Sequence, residues 1–214
     1  MSKKIFWIIG IVAICIIGII VLKDVQQESV VIDYENQPFL GEETAPVEIV
    51  EFGDYKCPHC KEFNDSIFPI INEQLVETGK AKFYFINYAF ISPDSTSSAR
   101  FAETVYQELG NDKFWKFHHL LFANQVKESE EINLFTNEFL EAVLVEIASP
   151  EETKQVMLAY NEGKGDAALK KDLAMAKNLG ISSTPSIYID GKQFEGGSMN
   201  DLIDMVEEAT ASGE

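Results

Sequence analysis

A mixed α/β domain with a long helical insertion, set behind an N-terminal apolar span, is the fold class this sequence predicts. Three patterns lead there. Two apolar, β-rich runs, Val47 to Phe52 and Ala81 to Tyr88, flank a segment with helical spacing. Strand, helix, strand in that order implies a parallel pair. From Ser92 to about Tyr160 the pattern is helical throughout. Near the C-terminus Asp190-Gly191, between Ser186 to Asp190 and Lys192 to Glu195, is a strong hairpin signal.

The first element is the apolar span. Ile5 to Leu22 contains no charge and no proline, and at ~1.5 Å per residue it nearly matches the ~30 Å hydrocarbon core of a bilayer. It exceeds a usual signal-peptide h-region, and no A-x-A-like cleavage site precedes Lys23-Asp24. Cys15 follows Ile14, too bulky for a lipoprotein signal, and reads as a cysteine within the span. Lys3 and Lys4 before the span place the rest of the chain outside the cytoplasm. The expected organisation is a cytoplasmic N-terminus at 1–4, a transmembrane anchor at 5–22 and a tether with a short edge strand, Val30 to Tyr34, at 23–44. A domain at 45–214 completes the chain, with its helical insertion at about 92–165.

Charge narrows the classes of partner. Of 17 basic residues, Lys3, Lys4 and Lys23 belong to the anchor region, leaving 14 against 35 acidic ones, a net charge of −21. Such a surface repels nucleic acid and anionic headgroups. No EF-hand-like run of carboxylates points to a calcium site.

The remaining elements are set by local signals. Val47 to Phe52 suits a buried strand and leads through Gly53-Asp54-Tyr55 to Cys57-Pro58-His59-Cys60. Phe63, Ile67, Ile70 and Ile71 recur at helical spacing, with a kink expected at Pro69. In the insertion, Phe101, Val105 and Leu109 form one stripe ending at Gly110, and the segments Phe114 to Phe122 and Leu134 to Ile147 come next. Ser149-Pro150-Glu151-Glu152 supplies a cap, a first-turn proline and favourable first-turn charge. Asp166 is the expected cap of a helix from Ala167 to Leu179, stopped by Gly180. A last amphipathic helix, Met199 to Ala209, turns Leu202, Ile203 and Val206 inward.

Only three cysteines occur, one inside the span. A Cys57–Cys60 bridge closes so short a loop that it stabilises little, so its position suggests chemistry. At a helix N-terminus the first sulfur meets unpaired N–H groups and the positive end of the dipole, which favour thiolate. Cys57 is the natural nucleophile, and Cys60, one turn further in, is placed to resolve a mixed disulfide. A zinc site from Cys57, Cys60, His118 and His119 is disfavoured, because adjacent helical residues diverge by ~100°.

Glu51-Phe52, Cys57-Pro58-His59-Cys60, the helical insertion and Thr184-Pro185 before a terminal hairpin and helix resemble the DsbA-family oxidoreductases, from about Val47 to the C-terminus. The approach Glu51-Phe52-Gly53-Asp54-Tyr55-Lys56-Cys57-Pro58 is similar to that of the membrane-anchored BdbD-like branch. The resemblance implies a thioredoxin fold with inserted helices, Cys57 attacking, Cys60 resolving, and His59 stabilising the Cys57 thiolate. It also implies a cis Thr184-Pro185 bond beside the disulfide, where substrate backbone binds, and a buried Glu51 that assists proton transfer to Cys60. Pro58-His59 between the cysteines favours an oxidant. The implied partners are reduced, unfolded secreted proteins and a quinone-linked membrane reoxidant of DsbB type. No cofactor beyond the Cys57–Cys60 disulfide and no metal is expected, and the protein is expected to be a monomer. A membrane-anchored thiol reductase, for example in cytochrome maturation, and an anchored binding module without turnover remain open on the sequence.

Overall fold

The computed structural model describes residues 29–125 and 133–212, and the anchor expected at 5–22 lies outside them. Among the described residues no helix is long and apolar enough to cross a membrane. The β-branched run forms strand Val47–Gly53 and pairs in parallel with Ala81–Asn87, in the register Glu51↔Phe85 and Gly53↔Asn87. Ser186–Ile189 lies antiparallel on its other side, with Glu51 opposite Ile187 and Phe52 opposite Ser186. Thr184-Pro185 therefore reaches the sheet at the end where Gly53 leaves it. Two-residue strands at Phe39–Leu40 and Lys192–Gln193 complete a five-stranded sheet.

The pleat sends alternate residues to opposite faces. Val47 and Ile49 enter the larger core with Phe83 and Phe85, whereas Val50 and Phe52 join Ile32, Tyr84 and Ala176 on the other side. Glu51 belongs to the odd set, which carries its carboxyl into the face that also buries Cys60. The insertion covers that face with helices Pro93–Leu109, Asn111–Ala123, Asn137–Val145 and Pro150–Asn161. Phe101 and Val105 are buried as their stripe requires, and Leu109 packs at the edge. Ser149 and Glu152 make the reciprocal capping box, the Glu152 N–H donating to Ser149 Oγ at 3.2 Å and the Ser149 N–H to Glu152 Oε2 at 2.7 Å.

Three local expectations change and a fourth gains detail. Val30 to Tyr34 is not a strand: the Val30 N–H donates to Gly191 O at 2.8 Å, while Ile32 is buried on the sheet face. The edge strand is Phe39–Leu40 instead, antiparallel to Ala81–Asn87. At Pro69, where a kink is expected, a π-helical turn at Phe63–Ile67 comes first and Pro69 lies in the first turn of a new α-segment, Phe68–Ile71. Asp166 is the first residue of helix Asp166–Asn178 and pairs with Arg100, leaving the cap position to Gly165. The last strand ends at Gln193, two residues earlier than the hairpin signal suggested. The turn itself is as expected, with Asp190 at φ 45° and Gly191 at φ 76°. A Cβ on Gly191 would also lie 2.0 Å from the Val30 carbonyl oxygen.

Away from the cysteines, the end of the second strand meets a buried acid pair. Asn87 Nδ2 donates to Glu103 Oε1 at 2.7 Å, the Asn87 N–H to Asp172 Oδ2 at 3.1 Å, and Gln37 Nε2 to Asp172 Oδ1 at 2.7 Å. The network ties sheet, insertion, helix Asp166–Asn178 and N-terminal segment together. Burial raises both acids, Asp172 to about 6.

Candidate active site

The chain leaves strand Val47–Gly53 and turns through Asp54 to Lys56. The buried Asp54 carboxylate shapes the turn by accepting the N–H groups of Lys56 at 2.9 Å, Phe90 at 2.9 Å and Ile91 at 3.1 Å. Its backbone carbonyl accepts the Cys57 N–H at 2.9 Å. Cys57 is then the cap residue of helix Pro58–Glu62, in extended conformation (φ −77°, ψ 118°), with Pro58 in the first turn, where its missing N–H costs nothing. Gly53 is a packing requirement, since a Cβ there would stand 2.3 Å from Phe85 Cε2 and 3.1 Å from Glu51 Oε1.

Both thiols are free, and their surroundings separate them. Cys57 is 4% exposed and its Sγ lies 3.3 Å from the Thr184 carbonyl oxygen, beside the cis Thr184-Pro185 bond. A hydrogen bond from the Cys60 thiol pulls the Cys57 pKa down to about 5, against burial and with help from the Thr184 side chain and the N–H groups of Cys60 and His59. The Thr184 hydroxyl is buried and has no other partner among the described residues. Cys60 is fully buried, and burial, then the bond it gives Cys57 and the Glu51 charge, raises its pKa far above the usual thiol range. Glu51, 1% exposed, is likewise raised well above the carboxylate range by burial, although its hydrogen bond with Cys60 opposes this. Its Oε1 has no hydrogen-bond partner among the described residues. One sulfur is thus prepared to be a thiolate, while its neighbour and the adjacent acid hold protons.

The structure brings Glu51, Cys57, Pro58, Cys60, Thr184 and Pro185 together. The His59 imidazole points away, 79% exposed and 3.7 Å from Glu62 Oε2, so His59 meets the sulfur through its backbone N–H. His118 and His119 serve the packing of the insertion. His118 Nδ1 pairs with the Tyr55 hydroxyl at 3.2 Å and His119 Nδ1 with Asn64 Oδ1 at 2.7 Å. Among the described residues no group of three His, Cys, Asp or Glu side chains could hold a metal ion.

Two contacts from the insertion are not foreshadowed by any sequence pattern. Gln125 Nε2 donates to the carbonyls of Tyr55 and Cys57, and Lys56 Nζ lies 3.1 Å from Asp94 Oδ2 and 5.5 Å from the centre of the Phe135 ring. Asp54 was legible as an acid just before a helix start. Gln125 was not, because its partners stand about seventy residues away in the chain.

A family model described as Thioredoxin matches residues 33–208. Disulfide bond formation protein D of Bacillus subtilis (strain 168) is 37% identical over 161 residues, covering 74% of this chain and 69% of that protein. The crystal structure of oxidised BdbD from Bacillus subtilis matches with a TM-score of 0.78 and 31% identity, over 86% of this chain and 97% of that one. Chlamydia trachomatis DsbA, at 21% identity, shares the fold with a TM-score of 0.71 over 86% of this chain and 95% of that one. These matches select an enzyme over the binding module that the sequence left open. The chain belongs to the thioredoxin family and, within it, to the DsbA-type thiol–disulfide oxidoreductases of the BdbD-like branch.

Proposed function

We propose that the domain is held outside the cytoplasm by a single-pass anchor at 5–22 and donates disulfides to reduced, unfolded secreted or surface proteins. The observation that carries this reading is the asymmetry of the thiol pair. Interactions that stabilise the Cys57 thiolate stabilise the reduced enzyme, which makes its disulfide a stronger oxidant. In the oxidised enzyme a substrate thiolate attacks Cys57 Sγ, and the Cys57–Cys60 bond breaks. Cys60 leaves with the electron pair and takes a proton, for which the Glu51 carboxyl is the adjacent donor. A second substrate thiolate then attacks the substrate sulfur of the mixed disulfide and expels Cys57 as a thiolate. The substrate gains a disulfide, the enzyme gains two electrons, and a quinone-linked membrane partner of DsbB type removes them. An extended substrate lies along Thr184-Pro185, pairing its backbone with Thr184.

Equilibration with glutathione tests the direction. The expected potential lies nearer the ~−120 mV of DsbA than the ~−270 mV of thioredoxin, and a thioredoxin-like value would mark a reductase. Membrane-impermeant thiol reagents should label reduced Cys57 in intact cells. Labelling only after lysis would contradict the location.

A further inference from the structure

Gln125 lies just beyond helix Asn111–Ala123 and is 7% exposed. Its Nε2 donates to Tyr55 O at 2.6 Å and to Cys57 O at 3.2 Å. Burying an amide is costly unless it is hydrogen-bonded, so these contacts hold the side chain and the turn to one another.

The bond to Cys57 acts on a particular torsion. Sγ is carried by the Cα of Cys57, whereas the N–H groups that face it belong to His59 and Cys60. Beyond the side-chain torsion χ1 of Cys57, the path between them runs through ψ of Cys57, the planar peptide ω, φ of Pro58, which the ring fixes, and torsions held by helix Pro58–Glu62. Among the backbone torsions on that path only ψ of Cys57, at 118°, lies outside the helix, the peptide plane and the proline ring. The Cys57 carbonyl also accepts the Lys61 N–H at 3.1 Å, but that donor turns with the helix and does not resist rotation. Gln125 binds the carbonyl from outside the helix and does.

We propose that Gln125 is a positioning residue for thiol–disulfide exchange: from the helical insertion it fixes the Cys57 carbonyl, and with it the torsion that aims the Cys57 sulfur at the helix N–H groups. The helical insertion is then mechanically linked to the redox centre, although it contributes no atom to the reaction. Other titratable groups near the sulfur are Cys60 on the same helix, Glu51 on the strand and the solvent-facing His59. Gln125 is neutral, so it acts by geometry.

The proposal rests on Cys57 being the ionising, attacking thiol of the proposed function. The test titrates the thiolate by ultraviolet absorbance and equilibrates the full-length protein with glutathione, for wild type, Gln125→Met and Gln125→Asn. Methionine keeps the length without a donor, and asparagine keeps the amide one methylene short. Gln125→Met is expected to raise the Cys57 pKa by about one unit and to shift the equilibrium about tenfold towards oxidised enzyme, with Gln125→Asn between it and wild type. A merely structural role lowers the melting temperature of both redox states and leaves both readings unmoved, which overturns the proposal. Should Gln125→Met fail to fold, a folded Gln125→Asn with wild-type readings overturns it equally. A wild type without a depressed thiolate pKa contradicts the proposed function instead, so the two failures are distinct.

Discussion

Two regions bury carboxyl groups whose pKa burial raises, and surround them differently. Glu103 and Asp172 share a hydrogen bond and the amides of Asn87 and Gln37, whereas Glu51 has the Cys60 thiol and an oxygen over Gly53 with no hydrogen-bond partner among the described residues. Burial raises the pKa of all three. A raised pKa therefore does not by itself identify a catalytic acid; the partner does. Glu103 and Asp172 are hydrogen-bonded to each other and to amides that do not change protonation, so their proton stays within the pair and the region is a brace. A thiol that alternates between thiolate and disulfide can take up a proton from outside the thiol pair, which is the basis for the proposed role of Glu51 in proton transfer.

The largest expected effects lie at the sulfurs. Cys57→Ser should abolish exchange, and Cys60→Ser should still react but accumulate mixed disulfides with a reduced unfolded protein, read on non-reducing gels. Equal trapping by both variants would erase the division between the two cysteines.

The two acid regions should then separate under substitution. Asp172→Ala leaves the buried Gln37 side-chain amide and the Asn87 backbone N–H unpaired and should cost on the order of 3 kcal/mol of stability, with the Cys57 pKa unchanged. Glu51→Leu removes a poorly satisfied buried acid and should leave stability equal or higher, while slowing exchange by up to ~100-fold. Denaturant unfolding and stopped-flow exchange, run on both variants, would break the comparison if the losses were shared or reversed.

Legibility in the sequence divides along the same line, between local and distant. The C-x-x-C turn, the Asp190-Gly191 hairpin and the Ser149 cap are set by neighbours a few residues apart, and local patterns disclose them, whereas the burial of Glu51 is implied only by the family resemblance. The brace joins Gln37, Asn87, Glu103 and Asp172 across long sequence separations, and no local pattern distinguishes those residues from surface amides and acids. The misplaced edge strand has a similar cause: Val30 to Tyr34 has strand composition, but its partner is a hairpin turn and a sheet face, not a neighbouring strand.

Titration gives a subtler contrast, of opposite sign in the two regions. The brace acids bind protons more tightly folded than unfolded, so stability should fall as pH rises from the ordinary carboxylate range near 4 through the folded value of Asp172, about 6. Cys57 is depressed in the fold, so it stabilises the reduced form fully above the ordinary thiol range, and that contribution is lost as pH falls through about 5. Reduced minus oxidised stability should accordingly grow between about pH 5 and pH 9, while the brace contributes to both forms alike. A difference flat across that window would show that Cys57 is not the titrating group.

The smallest effect is expected at Thr184. Thr184→Val removes the buried hydroxyl beside the sulfur and should raise the Cys57 pKa by less than about one unit, lowering the potential by at most ~30 mV. No change in either would reduce Thr184 to its backbone role.

One titration addresses the central claim, that a single sulfur is ionised while its neighbour and the buried acid keep their protons. Thiolate absorbance of the reduced protein, measured against pH for wild type and Cys57→Ser, reads it directly. The account predicts one thiolate appearing with a midpoint of about 5 in the wild type, absent in the variant, with Cys60 still protonated well above that pH. A midpoint in the ordinary thiol range, or two thiolates appearing together, would contradict it.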